Sequence, residues 1–418
     1  MLYYLFQWID KAFHFPGSRL MGYISFRASM AIIFSLIITM IFGGSIIRTL
    51  KRLQVGETIR DLGLAGEKAK AGTPTMGGMI IILGIIIPTL LLTRLDNVYI
   101  QIMLFSTCWM GAIGFADDYI KVFLKNKQGL KAIFKVAGQV ILGLVVGFVM
   151  LYHEQVVVRL PKEEALANHF KIMQTIVLND IAHNRSAEYA YVKTSMTNVP
   201  FLKGNNFDYE WLTHFIGDNG ASLLWLFFIP IVIFIVIAVS NAANLTDGLD
   251  GLATGVSAII AATLVILAYV SGNSIVADYL NIYYLPYTSE LVVFASALFG
   301  SCVGFLWYNT FPAKVFMGDT GSLTLGAVIA VLAILLRKEL LIPLMCGVFF
   351  IETLSVTLQV TYFKYTKKKF GEGRRIFLMS PLHHHYQKLG YHEATIATRF
   401  WIVSLFLAIL TIVTLKLR

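Results

Sequence analysis

Five short segments hold most of the residues in this chain that can do chemistry. The first is Lys70-Ala71-Gly72-Thr73-Pro74-Thr75-Met76-Gly77-Gly78. Its glycines permit close backbone approach, and a helix start offers free N–H groups to an anion. A proline-containing helix start capped by threonine has the same pattern. The second is the pair Asp117-Asp118, with Lys121 and Lys125 one and two turns further on. Adjacent carboxylates beside hydrocarbon are costly unless positive charge compensates them, and at a helix C-terminus they oppose the macrodipole. A base or cation site therefore stands beside the plainer reading of an acidic helix end balanced by lysines. The third is Asn241-Ala242-Ala243-Asn244-Leu245-Thr246-Asp247-Gly248-Leu249-Asp250-Gly251. Asp247 and Asp250 are spaced so that a helical turn places both on one face. Oxygen ligands between glycines suit a hard cation such as Mg²⁺ or a polar ligand. A capped tight turn is the alternative, but the segment contains no Lys or Arg, which favours a metal.

The fourth segment runs from Asn309 through Phe316 to Ser322 and puts Asp319 where an apolar stretch begins. A carboxylate there serves as a simple cap; together with the other acidic segments it suits a shared Mg²⁺, and Phe316 suits stacking on a base. The fifth is Pro381-Leu382-His383-His384-His385. Consecutive histidines point apart and lack zinc spacing, so hydrogen bonding to a phosphate fits better than metal ligation, against the alternative of a solvated His-rich loop. Glu352, Thr357 and Gln359 are polar positions in an apolar run and should face the interior or a wet cleft; Gln359 is placed to line the same site.

The elements that must position these segments follow from composition. Of 418 residues, 57% are hydrophobic and 14% charged, and the mean hydropathy is +0.71. Soluble domains carry about 45–50% and about 25%. Soluble, disordered, collagenous and disulfide-scaffold classes are excluded, and an all-α polytopic membrane protein is expected, without a removable leader. Cys108, Cys302 and Cys346 lie in apolar runs and are read as packing residues. About ten stretches are long enough to span: 26–47, 76–93, 98–116, 132–151, 222–240, 251–270, 291–309, 321–336, 340–363 and 397–415. The segment through Arg19 and Met21 reads as a short amphipathic piece lying in the interface.

Basic residues crowd the loops after the first, third and ninth spans, including Arg48, Lys51, Lys121, Lys131, Lys367 and Arg375. These loops are expected to be cytoplasmic and both termini periplasmic. This explains the net charge of +10 through anionic membrane lipid, with no nucleic acid partner. Residues 1–418 read as one integral membrane domain, with residues 152–221 a periplasmic insertion between spans four and five. All five segments fall on cytoplasmic loops or helix ends, the layout of an interfacial active site rather than a conduction path. Lys135 and Glu352, the main ionisable residues inside spans, do not join the motifs into a chain. Mg²⁺ held by carboxylates and phosphate oxygens is the usual arrangement for phosphoryl transfer. At a membrane interface it can combine a nucleotide-activated donor with a lipid phosphate.

Taken in order, the five segments resemble the signature set of the bacterial phospho-N-acetylmuramoyl-pentapeptide-transferases, within the polyprenyl-phosphate sugar-1-phosphate transferases. The triple histidine after Ser380-Pro381 points to this branch over the N-acetylhexosamine branch. Residues 62–68 depart from the family's Gly-Pro-x-Ser-His pattern, and the insertion is longer than the family norm. The resemblance implies that UDP-N-acetylmuramoyl-pentapeptide (UDP-MurNAc-pentapeptide) and undecaprenyl phosphate react, with Mg²⁺, to give lipid I and UMP. The setting implied is the inner membrane in peptidoglycan synthesis, with a homodimer expected from the family alone. Carried over, Asp319 binds Mg²⁺, Asp117 deprotonates or orients the lipid phosphate, and Asp118 supports it. Lys70, Thr75, Asn244, Asp247, Asp250, Asn309, Phe316 and Gln359 line the uridine-diphosphate pocket. His383 and His384, with His385 beside them, position the diphosphate or sugar. A phospho-aspartate route through Asp117 is the rival mechanism. A transporter, or a transferase using UDP-N-acetylglucosamine, are the competing functions.

Overall fold

Long runs of Ile, Leu, Val and Phe can satisfy their backbone in hydrocarbon only as helices, and helices dominate. A computed structural model describes residues 1–14, 16–53, 72–126, 128–168, 170–180, 185–199, 206–216 and 221–416. In chain order the helices are α1 (Leu2–Phe13), α2 (Ile24–Arg52), α3 (Gly78–Leu92), α4 (Val98–Val122), α5 (Ala132–Tyr152), α6 (Lys162–Ala167), α7 (Trp225–Thr246), α8 (Leu252–Ser271), α9 (Ser274–Leu280), α10 (Glu290–Asn309), α11 (Gly318–Leu335), α12 (Ile342–Met345), α13 (Gly347–Phe370), α14 (Leu382–Lys388) and α15 (Glu393–Thr414).

Among the described residues, eight helices are long and apolar enough to cross a membrane: α2, α4, α5, α7, α8, α10, α11 and α15. Two of the expected spans look different from their sequence pattern. The second is the shorter apolar helix α3. The ninth is broken: residues 339–345 meet α13 at a bend of 77°, where Cys346 leaves helical geometry (φ −97°, ψ 25°).

The all-α expectation holds for the bundle, and the insertion adds strands to it. β1 (Val158–Pro161), β2 (Lys171–Asp180) and β3 (Arg185–Lys193) form an antiparallel sheet in the order β1-β3-β2, and β4 (Met196–Asn198) pairs with β5 (Asn206–Asp208). Residues such as Val156, Val157, Val158 and Val192 are buried there, β-branched side chains that suit a pleated surface. The insertion is riveted to the helices. The Arg159 guanidinium sits over the Tyr189 and Tyr284 rings and bonds to Asp278. Lys338, fully buried, donates to Asn198, and burial pushes its ammonium down to about 7.

α11 is the central post. Every residue from Thr320 to Leu335 is buried, as expected of a helix that is apolar all round. Around it stand α3, α4, α7 and α8. Small residues let their backbones come close. A Cβ on Gly78 of α3 would lie 2.1 Å from Gly321 N, and one on Gly114 of α4 would lie 2.4 Å from the Asp319 carbonyl oxygen. The outer helices present Ile37, Ile41, Phe406 and Ile409 outward, the apolar face a lipid-bathed bundle needs. Cys302 and Cys346 are buried as expected, but Cys108 is exposed, because its side of α4 faces outward beside Phe105. A buried pair fastens α2 to α10: Arg27 donates to both carboxylate oxygens of Glu290 at 2.6 and 2.7 Å.

Candidate active site

The acidic segments are far apart in sequence but lie on helix ends that meet. Asp117 and Asp118 close α4, Lys135 lies in the first turn of α5, Asn244 lies near the end of α7, and Asp319 opens α11. Carboxylate oxygens of Asp117, Asp118 and Asp319 all lie within 4.8 Å of one another. Two ammonium groups hold them together. Lys121 reaches Asp117 Oδ2 at 2.5 Å and Asp319 Oδ2 at 3.1 Å, and Lys135 reaches Asp117 Oδ1 at 2.9 Å and Asp319 Oδ2 at 2.6 Å. Asn244 donates to Asp319 Oδ1 at 3.0 Å and to Ser322 Oγ at 2.8 Å.

The three carboxylates have different surroundings. Asp118 accepts the backbone N–H groups of Asp319 and Thr320 and the Thr320 hydroxyl, at 3.1, 2.9 and 2.6 Å. It thus occupies the open N–H groups at the start of α11, which a carboxylate favours. The Asp117 side chain is fully shielded and also accepts from Leu130 N at 2.7 Å. Gly129 (φ +64°) permits that return of the chain, since a Cβ there would sit 2.5 Å from Asp117 Oδ1. The Asp319 side chain stays 15% exposed and is the most open member of the acidic cluster. All three donors are oxygens, which suits a hard divalent ion more than a soft one.

The first and fourth segments zip together through the backbone. Phe316 N donates to Pro74 O, Gly77 N to Phe316 O and Gly78 N to Met317 O, each at 2.8 Å. Thr75 is buried against the α11 start, where a Cβ on Gly318 (φ +71°) would meet both Thr75 Oγ1 and Asp118 Oδ2. Phe316, in this junction, and Asp247, just past the end of α7, are half-buried. Lys70 and residues 62–68 lie outside the described residues.

Several expected pocket residues also brace the loops. Asp250 and Asp247 do not share a helical face: α7 stops at Thr246 and the chain turns, with Gly251 at φ +72°. Asp250 instead accepts Ala313 N at 2.9 Å. Asn309 accepts from Gly251 N and Thr254 Oγ1 and donates to Val315 O. Gln359 does not stand free in a cleft; its side-chain oxygen accepts Ile376 N and Phe377 N, and its amide donates to Phe377 O. In the histidine segment, His383 is fully buried against Glu352, the His384 ring lies 2.7 Å from Gln387 Oε1, and His385 accepts Leu378 N.

Lys135 and Glu352 correct the expectation that they stand apart from the motifs. Lys135 belongs to the acidic cluster and Glu352 to the histidine segment. Both sit in apolar stretches, where a lone ionisable residue marks a functional position. That rule is the sequence signal that pointed to them, but it names no partner.

Close packing of α4 on α11 sets the distance from Asp117 to Asp319. Gly114→Ala is expected to lower the thermal midpoint and to reduce activity by more than the loss of folded protein, because the added methyl meets backbone at Asp319 and Thr320; overpacking of this kind costs about 1–3 kcal/mol. Gly111→Ala meets only the end of the Ile82 side chain and should be milder. Thermal unfolding and product release measured on both variants check this.

Among the described residues, the converging ends of these apolar helices gather carboxylates and lysines in one cluster, an arrangement that suits a membrane-embedded transferase. The family model described as glycosyl transferase family 4 matches residues 100–337, more than half of the chain. Proteins named phospho-N-acetylmuramoyl-pentapeptide-transferase from Flavobacterium psychrophilum and Flavobacterium johnsoniae are 58% and 56% identical to it, each over 418 residues and the full length of both chains. The protein of that name from Parabacteroides distasonis is 52% identical, again over the full length of both. The chain belongs to the phospho-N-acetylmuramoyl-pentapeptide-transferase family.

Proposed function

We propose that this protein transfers phospho-N-acetylmuramoyl-pentapeptide from UDP-MurNAc-pentapeptide to undecaprenyl phosphate in the bacterial inner membrane, giving lipid I and UMP. The observation that carries the site assignment is the cluster of Asp117, Asp319, Lys121 and Lys135 at the meeting point of four helix ends. An oxygen of the lipid phosphate attacks the sugar-proximal phosphorus of the donor. A new P–O bond forms, the diphosphate P–O bond breaks, and UMP leaves with the electron pair. Lys121 and Lys135 face the charge that develops on the phosphoryl oxygens. Asp319, the most open carboxylate of the cluster, is the residue to hold Mg²⁺, and Asp117 orients or deprotonates the lipid phosphate beside Lys121 and Lys135. The bound ion would supply charge neutralisation at the diphosphate.

Direct attack is favoured over a phospho-aspartate. Asp117 is fully shielded, with Leu130 N, Lys121 and Lys135 all on its oxygens, so it lacks the open approach a nucleophile needs. Asp118, held by three donors at the start of α11, keeps Asp319 in place. Lys70, Thr75, Asn244, Asp247, Asp250, Asn309, Phe316 and Gln359 form and brace the donor site, with His383, His384 and His385 positioning the diphosphate or sugar. The enzyme is a homodimer, its chain one integral domain with residues 152–221 on the periplasmic side.

The deciding experiment presents purified enzyme and polyprenyl phosphate with UDP-MurNAc-pentapeptide or with UDP-N-acetylglucosamine and follows UMP. Release is expected with the first donor only; release with the second alone would overturn the assignment, and solute flux without UMP would indicate a transporter.

A further inference from the structure

Glu352 is buried in α13 with no exposure, well inside an apolar helix, and a carboxylate there is costly unless it is paired. Its partner comes from the histidine segment. The His383 backbone N–H donates to Glu352 Oε1 and Oε2 at 3.2 and 3.4 Å, and His383 Nδ1 lies 3.2 Å from Oε2. The other edge of the ring is aimed at the third segment: a Cβ on Gly248 would lie 2.2 Å from Nε2. Nε2 is buried and has no hydrogen-bond partner among the described residues. A buried polar atom of this kind needs a reason. Here the imidazole is clamped between a charged group on one side and a bare backbone turn on the other.

We propose that Glu352 is a positioning residue for the transfer reaction: it clamps His383 against Gly248 and so sets the histidine segment against the Asn244–Gly251 loop. This rests on the reading that the loop forms part of the donor site. Glu352 touches neither the acidic cluster nor any of the loop carboxylates in the contacts described above, so it acts through His383. Without its carboxylate, the His383 backbone N–H loses its acceptor, Nδ1 loses the oxygen beside it, and the histidine segment is free to move off the loop. Misplacement by about 1 Å can cost about a hundredfold in rate.

The test is a double-mutant cycle on the full-length enzyme in lipid nanodiscs, with UMP release as the readout. Glu352→Ala is expected to lower kcat about 30-fold with the donor KM changed less than about threefold, the signature of lost positioning in the transition state. Glu352→Gln keeps an acceptor for the His383 N–H and should recover most of the activity. In His383→Gln the same Glu352→Ala change should cost less than about twofold, because coupled residues are non-additive. Multiplicative losses in the double variant, or wild-type kinetics in Glu352→Ala, would overturn the proposal. A residue with only a structural role would lower the thermal midpoint and the active fraction while leaving losses at His383 additive. If Glu352→Ala does not fold, Glu352→Asp, whose shorter side chain draws the carboxylate back from His383, takes its place in the same cycle and reads the coupling. Gly248→Ala, which crowds the ring from the opposite side, should reproduce the kcat loss. Activity surviving in Asp319→Asn would instead discredit the reading of the site itself, so the two failures are distinct.

Discussion

Asp319→Asn should reduce UMP release at least about a hundredfold while leaving the protein folded, the usual scale for a group that handles protons or charge in the transition state. Asn has nearly the same shape, so packing at the start of α11 survives. The electrostatics do not. Oδ2 receives both Lys121 and Lys135, and Oδ1 receives the Asn244 amide. An amide NH₂ in either position meets a donor with a donor and removes the negative charge that gathers the two ammonium groups. Asp117→Asn should be comparably inactive, and it also disturbs the loop bonded through Leu130 N. UMP release together with a thermal unfolding curve in detergent separates lost chemistry from lost fold. Activity within about threefold of wild type in a folded Asp319→Asn enzyme would contradict any role in charge handling.

The second large effect is metal removal. The described cluster holds three carboxylates, Asp117, Asp118 and Asp319, against two ammonium groups, Lys121 and Lys135. Counted formally this is three negative charges and two positive, a net of −1. A donor diphosphate and an acceptor phosphate bring further negative charge into the same space. Two lysines that also hold three aspartates cannot neutralise all of it, and repulsion between close like charges in a partly dry site is severe. A divalent cation resolves the deficit, so EDTA should abolish turnover and excess Mg²⁺ should restore it. Since Asp118 is occupied by three donors from Asp319 and Thr320 and Asp117 by Leu130 N, Lys121 and Lys135, the ion should depend more on Asp319 than on either of them. Turnover that persists unchanged in EDTA would remove the metal from the mechanism.

How far the site could be read in advance depended on the kind of residue. Asp117, Asp118 and Asp319 stood out because acidic groups at the ends of apolar helices need an explanation, and they do converge. Asp250 and Asn309 stood out for the same reason of polarity, yet part of their hydrogen-bonding capacity goes to backbone groups of neighbouring loops. Polarity at a turn marks a residue as occupied, without saying whether its partner is a ligand or the protein's own chain. The expected helical register of Asp247 and Asp250 failed because α7 ends at Thr246, and three-residue spacing puts side chains on one face only within a helix.

From the sequence alone came the membrane class, the position of most of the helices, and the ordered motifs that mark the family. Those depend on run length, composition and local spacing, which are properties of the chain before it folds. Contacts across the bundle depended on tertiary structure. Lys135 meets Asp319 from 184 positions away, Glu352 meets His383, and α11 lies against α4 where glycines leave room. Each of these is set by how helices rotate and slide against one another, and that packing geometry has no local signature in the residues that make it.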